Sequence, residues 1–416
     1  MIEVLDTNGR LSIRERLAKL ADCLAIAIAV SLPWSTSATS ILLVIWLLVV
    51  IPTFDWADVR RELMTPAGGL PVLLVLLGVL GTLWADVSII ARWGGLGSFL
   101  KLLFIPLLFA QFRRTDRGYW VFGGYIVSCI VLLLLSFVLA LWPSFPIHFS
   151  HDFGVPVGNI PSQSGEFATC IFGLIFLANE AVTRRRWLWL LGCLTVIVGM
   201  LIDMFFVATG RTSLVVMLVL LAVFAVKKLK PRGIFILFTS AIAICAVAWF
   251  SSAYLRARTA QIWVDYQNYE LRNERNSSGE RVEFAKKSIE FIREAPVIGH
   301  GTGSIPSLFA RSVVKGSNEP AGTNPHNQTF AVAIQLGLVG AFVLWAMWIA
   351  HLLLFRGVGL AEWVGLVVVV QNIVGSLFNS HLFDFMQGWV YVVGVGVAGG
   401  MAWKNRGMQK SKVVMT

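Results

Sequence analysis

The sequence predicts an all-α polytopic membrane protein of about twelve transmembrane helices, with one long, partly helical loop between spans nine and ten. Three observations predict it. Apolar residues make up 57% of the 416 residues, charged residues only 14%, and mean hydropathy is +0.75. Apolar runs recur from end to end at the length a helix needs to cross the hydrocarbon layer. The lysines and arginines gather in short segments between those runs.

Spans are predicted near 17–33, 37–53, 70–85, 97–112, 119–142, 163–182, 187–207, 212–227, 233–251, 329–354, 360–380 and 386–403. The first follows Arg10, Arg14, Arg16 and Lys19, but it lacks a small-residue cleavage site and leads at once into a second span, so it reads as a retained helix. Twelve spans put both termini on one side. Of the 34 lysines and arginines, 21 fall in short segments facing that side. They sit near the N-terminus, at Arg60 and Arg61, Arg113 to Arg117, Arg184 to Arg186, Lys227 to Arg232, Arg356, and in the tail from Lys404. By the positive-inside rule that side is the cytoplasm. The opposite short loops carry only Arg92, Lys101 and Arg211. The chain then divides into spans one to nine (1–251), a periplasmic loop carrying the candidate motifs (252–328), spans ten to twelve (329–403) and a cytoplasmic tail (404–416). The net charge of +11 is mostly topology and needs no nucleic-acid partner. Cys23, Cys129, Cys170, Cys193 and Cys245 all fall within spans, as small packing residues do.

The outer arginines are not explained by topology. Arg211 sits in the turn Ala208-Thr209-Gly210-Arg211-Thr212-Ser213 between two spans; it is either an interfacial anchor or a phosphate ligand, for which its guanidinium fork is suited. In the long loop, residues 252–275 alternate basic, aromatic and polar side chains, as an interfacial helix does. A second helix is predicted to start at Ser277-Ser278-Gly279-Glu280-Arg281 and to stop before Pro296. Arg281 would share one face with Ala285, Ser288 and Ile292, and either binds a ligand or pairs with Glu280 or Glu283. The run Gly299-His300-Gly301-Thr302-Gly303 reads as a turn first and a ligand contact second, because it lacks the Lys-Ser/Thr ending of a nucleotide loop. His300 fits a hydrogen-bonding loop residue equally well.

The stretch Thr323-Asn324-Pro325-His326-Asn327-Gln328 opens straight into span ten and puts a histidine at the membrane surface. That is either a solvated loop histidine or a proton acceptor fixed between two helices. Glu166 and Asp203 lie near the outer ends of their spans, where they would orient an arginine or the histidine or simply satisfy packed polar groups. No Asp-x-Asp pair and no spacing of histidines and carboxylates reads as a metal site, so a reaction without metal or cofactor is expected.

Four of these motifs, in order, resemble those of the O-antigen ligase and polymerase superfamily. They are Thr209-Gly210-Arg211-Thr212-Ser213; Arg281 with Ala285 and Phe291; Pro296-Val297-Ile298-Gly299-His300-Gly301-Thr302-Gly303; and His326-Asn327-Gln328 followed by Leu336-Gly337-Leu338-Val339-Gly340. Gly158-Asn159-Ile160-Pro161-Ser162-Gln163 and Phe378-Asn379-Ser380-His381 resemble two further elements of that family. The resemblance is close over about 205–385. It implies an inner-membrane glycosyltransferase that takes a glycan from undecaprenyl diphosphate on the periplasmic side and, in ligases, gives it to a sugar hydroxyl of lipid A-core. On that basis Arg211 and Arg281 would hold the diphosphate and His326 would take the acceptor proton, with Asn327, Gln328, His300, Glu166 and Asp203 as possible supporting residues and membrane lipid around the donor's chain. A polymerase of the same superfamily would use similar chemistry on a second lipid-linked glycan. A secondary transporter would place charges near mid-bilayer on broken helices, often with an internal repeat, which this sequence does not display.

Overall fold

The computed structural model describes residues 12–146, 149–272, 279–312 and 324–414. All regular structure in them is helical. In chain order the helices are α1 (Ile13–Ser31), α2 (Thr36–Val50), α3 (Trp56–Leu63), α4 (Pro66–Gly81), α5 (Ile89–Leu100), α6 (Phe104–Phe112), α7 (Gly118–Leu141), α8 (Ile160–Thr183) and α9 (Trp187–Phe206). There follow α10 (Arg211–Lys228), α11 (Pro231–Ser251), α12 (Ala253–Arg272), α13 (Gly279–Glu294), α14 (Ile305–Arg311), α15 (Gln328–Leu354), α16 (Leu360–Gly375) and α17 (Phe385–Val414). The Ser277-Ser278 cap, Arg10, Arg275 and Thr323 lie outside the described residues.

Every predicted span overlaps a helix, although 70–85 and 360–380 run on into turns, and among the described residues eight segments are at least 18 residues long and apolar enough to cross a membrane. These are α2 with the 3₁₀ turn after it, α5 joined to α6, and α7, α8, α9, α11, α15 and α17. The protein is therefore a polytopic helical membrane protein. The other four helices on predicted spans are shorter or more charged: α4 and α16 have 16 residues each, α1 begins with Arg14, Glu15, Arg16 and Lys19, and α10 ends in Lys227-Lys228. Leu141, Leu188 and Phe250 point outward, fully at home in lipid, while Trp46, Trp348 and Tyr391 fill the interior.

Capping residues set the helix starts. Ser12 and Glu15 form a reciprocal box on α1. Thr65, Asn159 and Asn327 accept from the first turns of α4, α8 and α15. Three elements depart from the sequence reading. Helix α4 is bent 85° from α3 in front of it. The fourth span is interrupted by a 3₁₀ turn at Lys101–Leu103, so Lys101 is no loop charge; it is buried, and its Nζ donates to the carbonyls of Phe383 and Asp384 at 3.2 and 2.9 Å. Finally, α17 carries its helix through the tail residues to Val414.

The bundle has two chemically different ends. At one, Arg14 pairs with Asp55 at 2.8 Å, Arg113 with buried Glu62 at 2.9 Å, Lys404 with Asp116 at 2.6 Å, and Arg114 with Asp58. These pairs tie the ends of α1, α3, α6, α7 and α17 together. Lys227 donates there to the carbonyls of Phe355 and Arg356 at 3.1 and 3.3 Å, closing the last turn of α15.

At the other end the glycine run is built into a broken helix. Gly337, inside α15, has φ 64° and ψ −166°, a conformation open essentially to glycine alone. The break turns the carbonyls of Ile334 and Gln335 and the N–H groups of Leu338 and Val339 outward, and the glycine run satisfies them. His300 N and Gly301 N donate to Ile334 and Gln335 at 2.8 and 2.9 Å; Leu338 N and Val339 N donate to Pro296 and Val297 at 2.8 and 3.3 Å. Thr302 fastens the same run to α4, with its N on Gly81 O at 3.0 Å and its Oγ1 on Gly78 O at 2.6 Å. Irregular backbone survives in a membrane protein only when its polar groups are paired in this way. A Cβ on Gly337 would lie 2.1 Å from the carbonyl oxygen of Val297. Gly337→Ala is therefore expected to destabilise by about 1–3 kcal/mol, seen as a lowered thermal midpoint, although alanine is ordinarily the better helix former. A raised midpoint would show that the break is dispensable.

Candidate functional site

The end that carries the glycine run brings Arg211, Arg281 and His326 into one neighbourhood. The turn before α10 is pinned to α8: Ser164 Oγ donates to Ala208 O at 2.7 Å, and a Cβ on Gly210 would strike that hydroxyl at 2.7 Å. Arg211 thus starts α10 from a fixed, tight corner. Helix α13 packs its phenylalanines inward: Phe284 and Phe291 both meet Phe309 edge-on, with centroids 5.4 and 5.3 Å away, over Ile305, Leu308, Ala331 and Ile334. Arg281 precedes Phe284 by three residues, so the two are neighbours on one helix face. Its tip reaches solvent, yet partial burial, and next the positive charge of Arg211, push its pKa below the usual arginine value. Arg211 thus stands near enough to Arg281 to disfavour its charge.

The ring of Phe284 stacks on His326, with centroids 5.8 Å apart and planes 19° from parallel. His326 has φ 51°, an uncommon left-handed conformation that histidine tolerates better than most residues. Its neighbours enforce that shape. Asn324 Oδ1 accepts from His326 N at 2.9 Å and from Ser380 Oγ at 2.6 Å. Asn327 caps α15 through Phe330 N at 3.1 Å and donates to Leu377 O at 3.2 Å. Gln328 N donates to Ser376 O at 2.9 Å, and Gln328 Oε1 accepts from Leu382 N and Phe383 N at 3.0 and 3.2 Å. Asn327 and Gln328 therefore hold the segment that presents His326.

The tautomer of His326 follows from its partners. Asn379 Nδ2 donates to Asp384 Oδ2 at 2.9 Å, which turns Asn379 Oδ1 toward the histidine. His326 Nδ1 lies 3.0 Å from that oxygen, so Nδ1 carries the proton and Nε2 the lone pair. A chain Asp384, Asn379, His326 thus fixes the orientation of the imidazole. Phe284, Asn324, Asn379 and Asp384 are the residues that sequence reading did not assign. Asn379 stood inside a matched motif and Phe284 one turn from Arg281; Asp384, at the start of an apolar run, gave no signal.

The remaining candidates sit elsewhere. His300 Nε2 donates to Phe291 O at 2.8 Å, two turns of α13 beyond Phe284, and so ties the glycine run to that helix. Asp203 bonds Ser136 Oγ and accepts from Gln163 Nε2 at 3.1 Å, joining α7, α8 and α9. Glu166 is buried beside Tyr125 and Cys129 in the bundle interior. Arg92 donates to the carbonyls of Val87 and Thr82 at 3.1 and 3.0 Å. Among the described residues no three His, Cys, Asp or Glu side chains gather as a metal-ligand set.

Two groups behind His326 titrate in opposite senses. Burial raises the Asp384 carboxyl from 3.8 to about 6, against the pull of Lys101. Burial lowers His381 from 6.5 to about 4. The raised acid makes the folded state keep its proton longer than the unfolded chain, so its contribution to stability falls as pH rises from about 4 to about 6. The lowered histidine makes the unfolded chain keep the proton longer, so its contribution rises from about pH 4 to 6.5. Removing the first slope with Asp384→Asn should make the variant gain stability relative to wild type as pH rises across that window. Thermal unfolding between pH 4 and 7 checks this, and a pH-independent difference would contradict it.

Residues 196–345 match the family model described as O-antigen ligase. The matched segment contains Arg211, Arg281, His300 and His326, while Asn379 and Asp384 lie beyond it. An uncharacterized protein of Haemophilus influenzae is 25% identical over 254 residues, covering 58% of this chain. The chain spans 61% of the length of that curated relative.

Proposed function

We propose that this chain, whose residues 196–345 match the O-antigen ligase family model, joins a glycan from undecaprenyl diphosphate to a sugar hydroxyl of lipid A-core. The observation that carries the reading is the base-oriented imidazole of His326 beside the paired guanidiniums of Arg211 and Arg281. The basic end of the bundle would face the cytoplasm, and the site would then lie at the periplasmic face of the inner membrane with both termini on the cytoplasmic side.

Each part of the arrangement answers a demand of the reaction. An anionic diphosphate between Arg211 and Arg281 would relieve their mutual repulsion and stabilise charge as it develops on the leaving group. The acceptor hydroxyl oxygen attacks the anomeric carbon and forms the new glycosidic bond; its proton passes to His326 Nε2. The bond from that carbon to the diphosphate oxygen breaks, and undecaprenyl diphosphate leaves with the electron pair. Asn379 Oδ1, fixed by Asp384, accepts from the imidazolium and steadies it.

The test is purified full-length protein, treated with EDTA and offered undecaprenyl diphosphate-linked glycan with lipid A-core, with products separated by size. Glycan on lipid A-core is the expected outcome. Lengthened lipid-linked glycan in its place would make the protein a polymerase, and no transfer would remove the glycosyltransferase reading.

A further inference from the structure

A groove of about 990 Å³ opens between α7, α8 and α9 at the basic end of the bundle, away from His326, and the chemistry proposed above does not use it. It is lined on α7 from Tyr119 to Ile130 and on α9 from Leu188 to Val196. At about 1.5 Å per helical residue these stretches run roughly 12–17 Å, close to half of a hydrocarbon core about 30 Å thick. The walls are apolar, and two lining residues, Gly123 and Gly192, differ from packing glycines elsewhere: a Cβ built on either meets nothing within 4 Å. They leave space where a larger side chain would close it.

The mouth is charged. The α8–α9 turn folds back so that Arg186 N donates to Ala181 O at 2.8 Å, fixing Arg186 beside the lining. Arg184 also lines the mouth and pairs with Glu180 at 3.1 Å. Lys228 Nζ donates to Val358 O at 3.2 Å and stands 4.6 Å over the ring of Phe176, and both of those residues line the groove. Three cations thus face one acid.

We infer that this groove binds one anionic phospholipid of the leaflet at the basic end, its acyl chain against α7 and α9 and its phosphate on Arg184, Arg186 and Lys228. The groove opens sideways between lipid-facing helices, with exposed Leu188 and Trp189 at its lip, so the bilayer supplies its occupant. Its depth suits an acyl chain confined to one leaflet, and the excess of cations selects an anionic headgroup. The inference requires the membrane-spanning fold and is independent of glycosyl transfer.

Native mass spectrometry of the delipidated full-length protein, offered equal phosphatidylglycerol and phosphatidylethanolamine, tests it. One retained phosphatidylglycerol, in preference to phosphatidylethanolamine, is expected. Arg186→Gln should weaken phosphatidylglycerol about fivefold, the factor for one basic residue at an anionic headgroup, and leave phosphatidylethanolamine unchanged. Gly123→Leu with Gly192→Leu should abolish retention of both lipids without lowering the thermal midpoint. Equal retention of the two lipids by wild type, undiminished retention in a folded double-leucine variant, or a second copy of the chain seated there in place of lipid would each overturn the inference. If the double variant does not fold, an unchanged phosphatidylglycerol affinity in Arg186→Gln overturns it alone.

Discussion

His326→Ala is expected to abolish glycan transfer while leaving affinity for the lipid diphosphate donor within about twofold of wild type. A positioned general base is worth about 10²- to 10⁴-fold in rate, and the imidazole is the group whose Nε2 lone pair is aimed by Asn379 and Asp384. The diphosphate would rest on the arginines, so binding should persist. Asn379→Ala should give a milder defect of the same kind, because it loses the acceptor that fixes Nδ1–H but keeps the ring. Single-turnover transfer measured beside equilibrium donor binding separates the two effects. Parallel loss of binding and turnover in His326→Ala would make the histidine a ligand contact.

Arg281→Ala is expected to show the opposite pattern, losing donor affinity first. A hydrogen bond to a charged group is worth about 1.5–3 kcal/mol, or about ten- to a hundredfold in affinity. Arg211→Ala should lose a similar amount. The two positions differ in what else they disturb: Arg281 is solvent-accessible on α13, whereas Arg211 starts a transmembrane helix at a turn pinned to Ser164. Arg281→Lys should recover only part of the loss, since an ammonium keeps the charge and not the two-pronged geometry. Full donor affinity and full turnover in either alanine variant would remove that arginine from the site.

Much of this architecture was legible in the order of residues. Long apolar runs mark helices because a membrane leaves the backbone few alternatives, and each predicted span overlaps a helix. The basic segments, too far apart in sequence to suggest contact, meet as Arg14 with Asp55 and Lys404 with Asp116. The break at Gly337 was hidden inside a continuous apolar run, since its cause is a partner, the run Pro296 to Thr302, that only tertiary structure brings alongside. The glycine run was read correctly as a turn, but its role as the staple between α4 and α15 depends on those same distant carbonyls. Arg211, Arg281 and His326 stood out because charged or titratable groups at an outer membrane surface need a reason. Glu166 and Asp203 stood out for the same reason yet are buried inside the bundle, because sequence gives a residue's depth and not the direction it faces. Asn379 and Asp384 reach His326 across more than fifty residues, a contact no local pattern announces.

The most direct test of the proposed chemistry is the anomeric configuration of the newly formed glycosidic bond, compared by NMR with that of the donor linkage. Direct displacement by an acceptor hydroxyl that gives its proton to His326 requires inversion. Retention of configuration would require a covalent glycosyl intermediate or a second displacement, and would contradict His326 as the base of a single-step transfer.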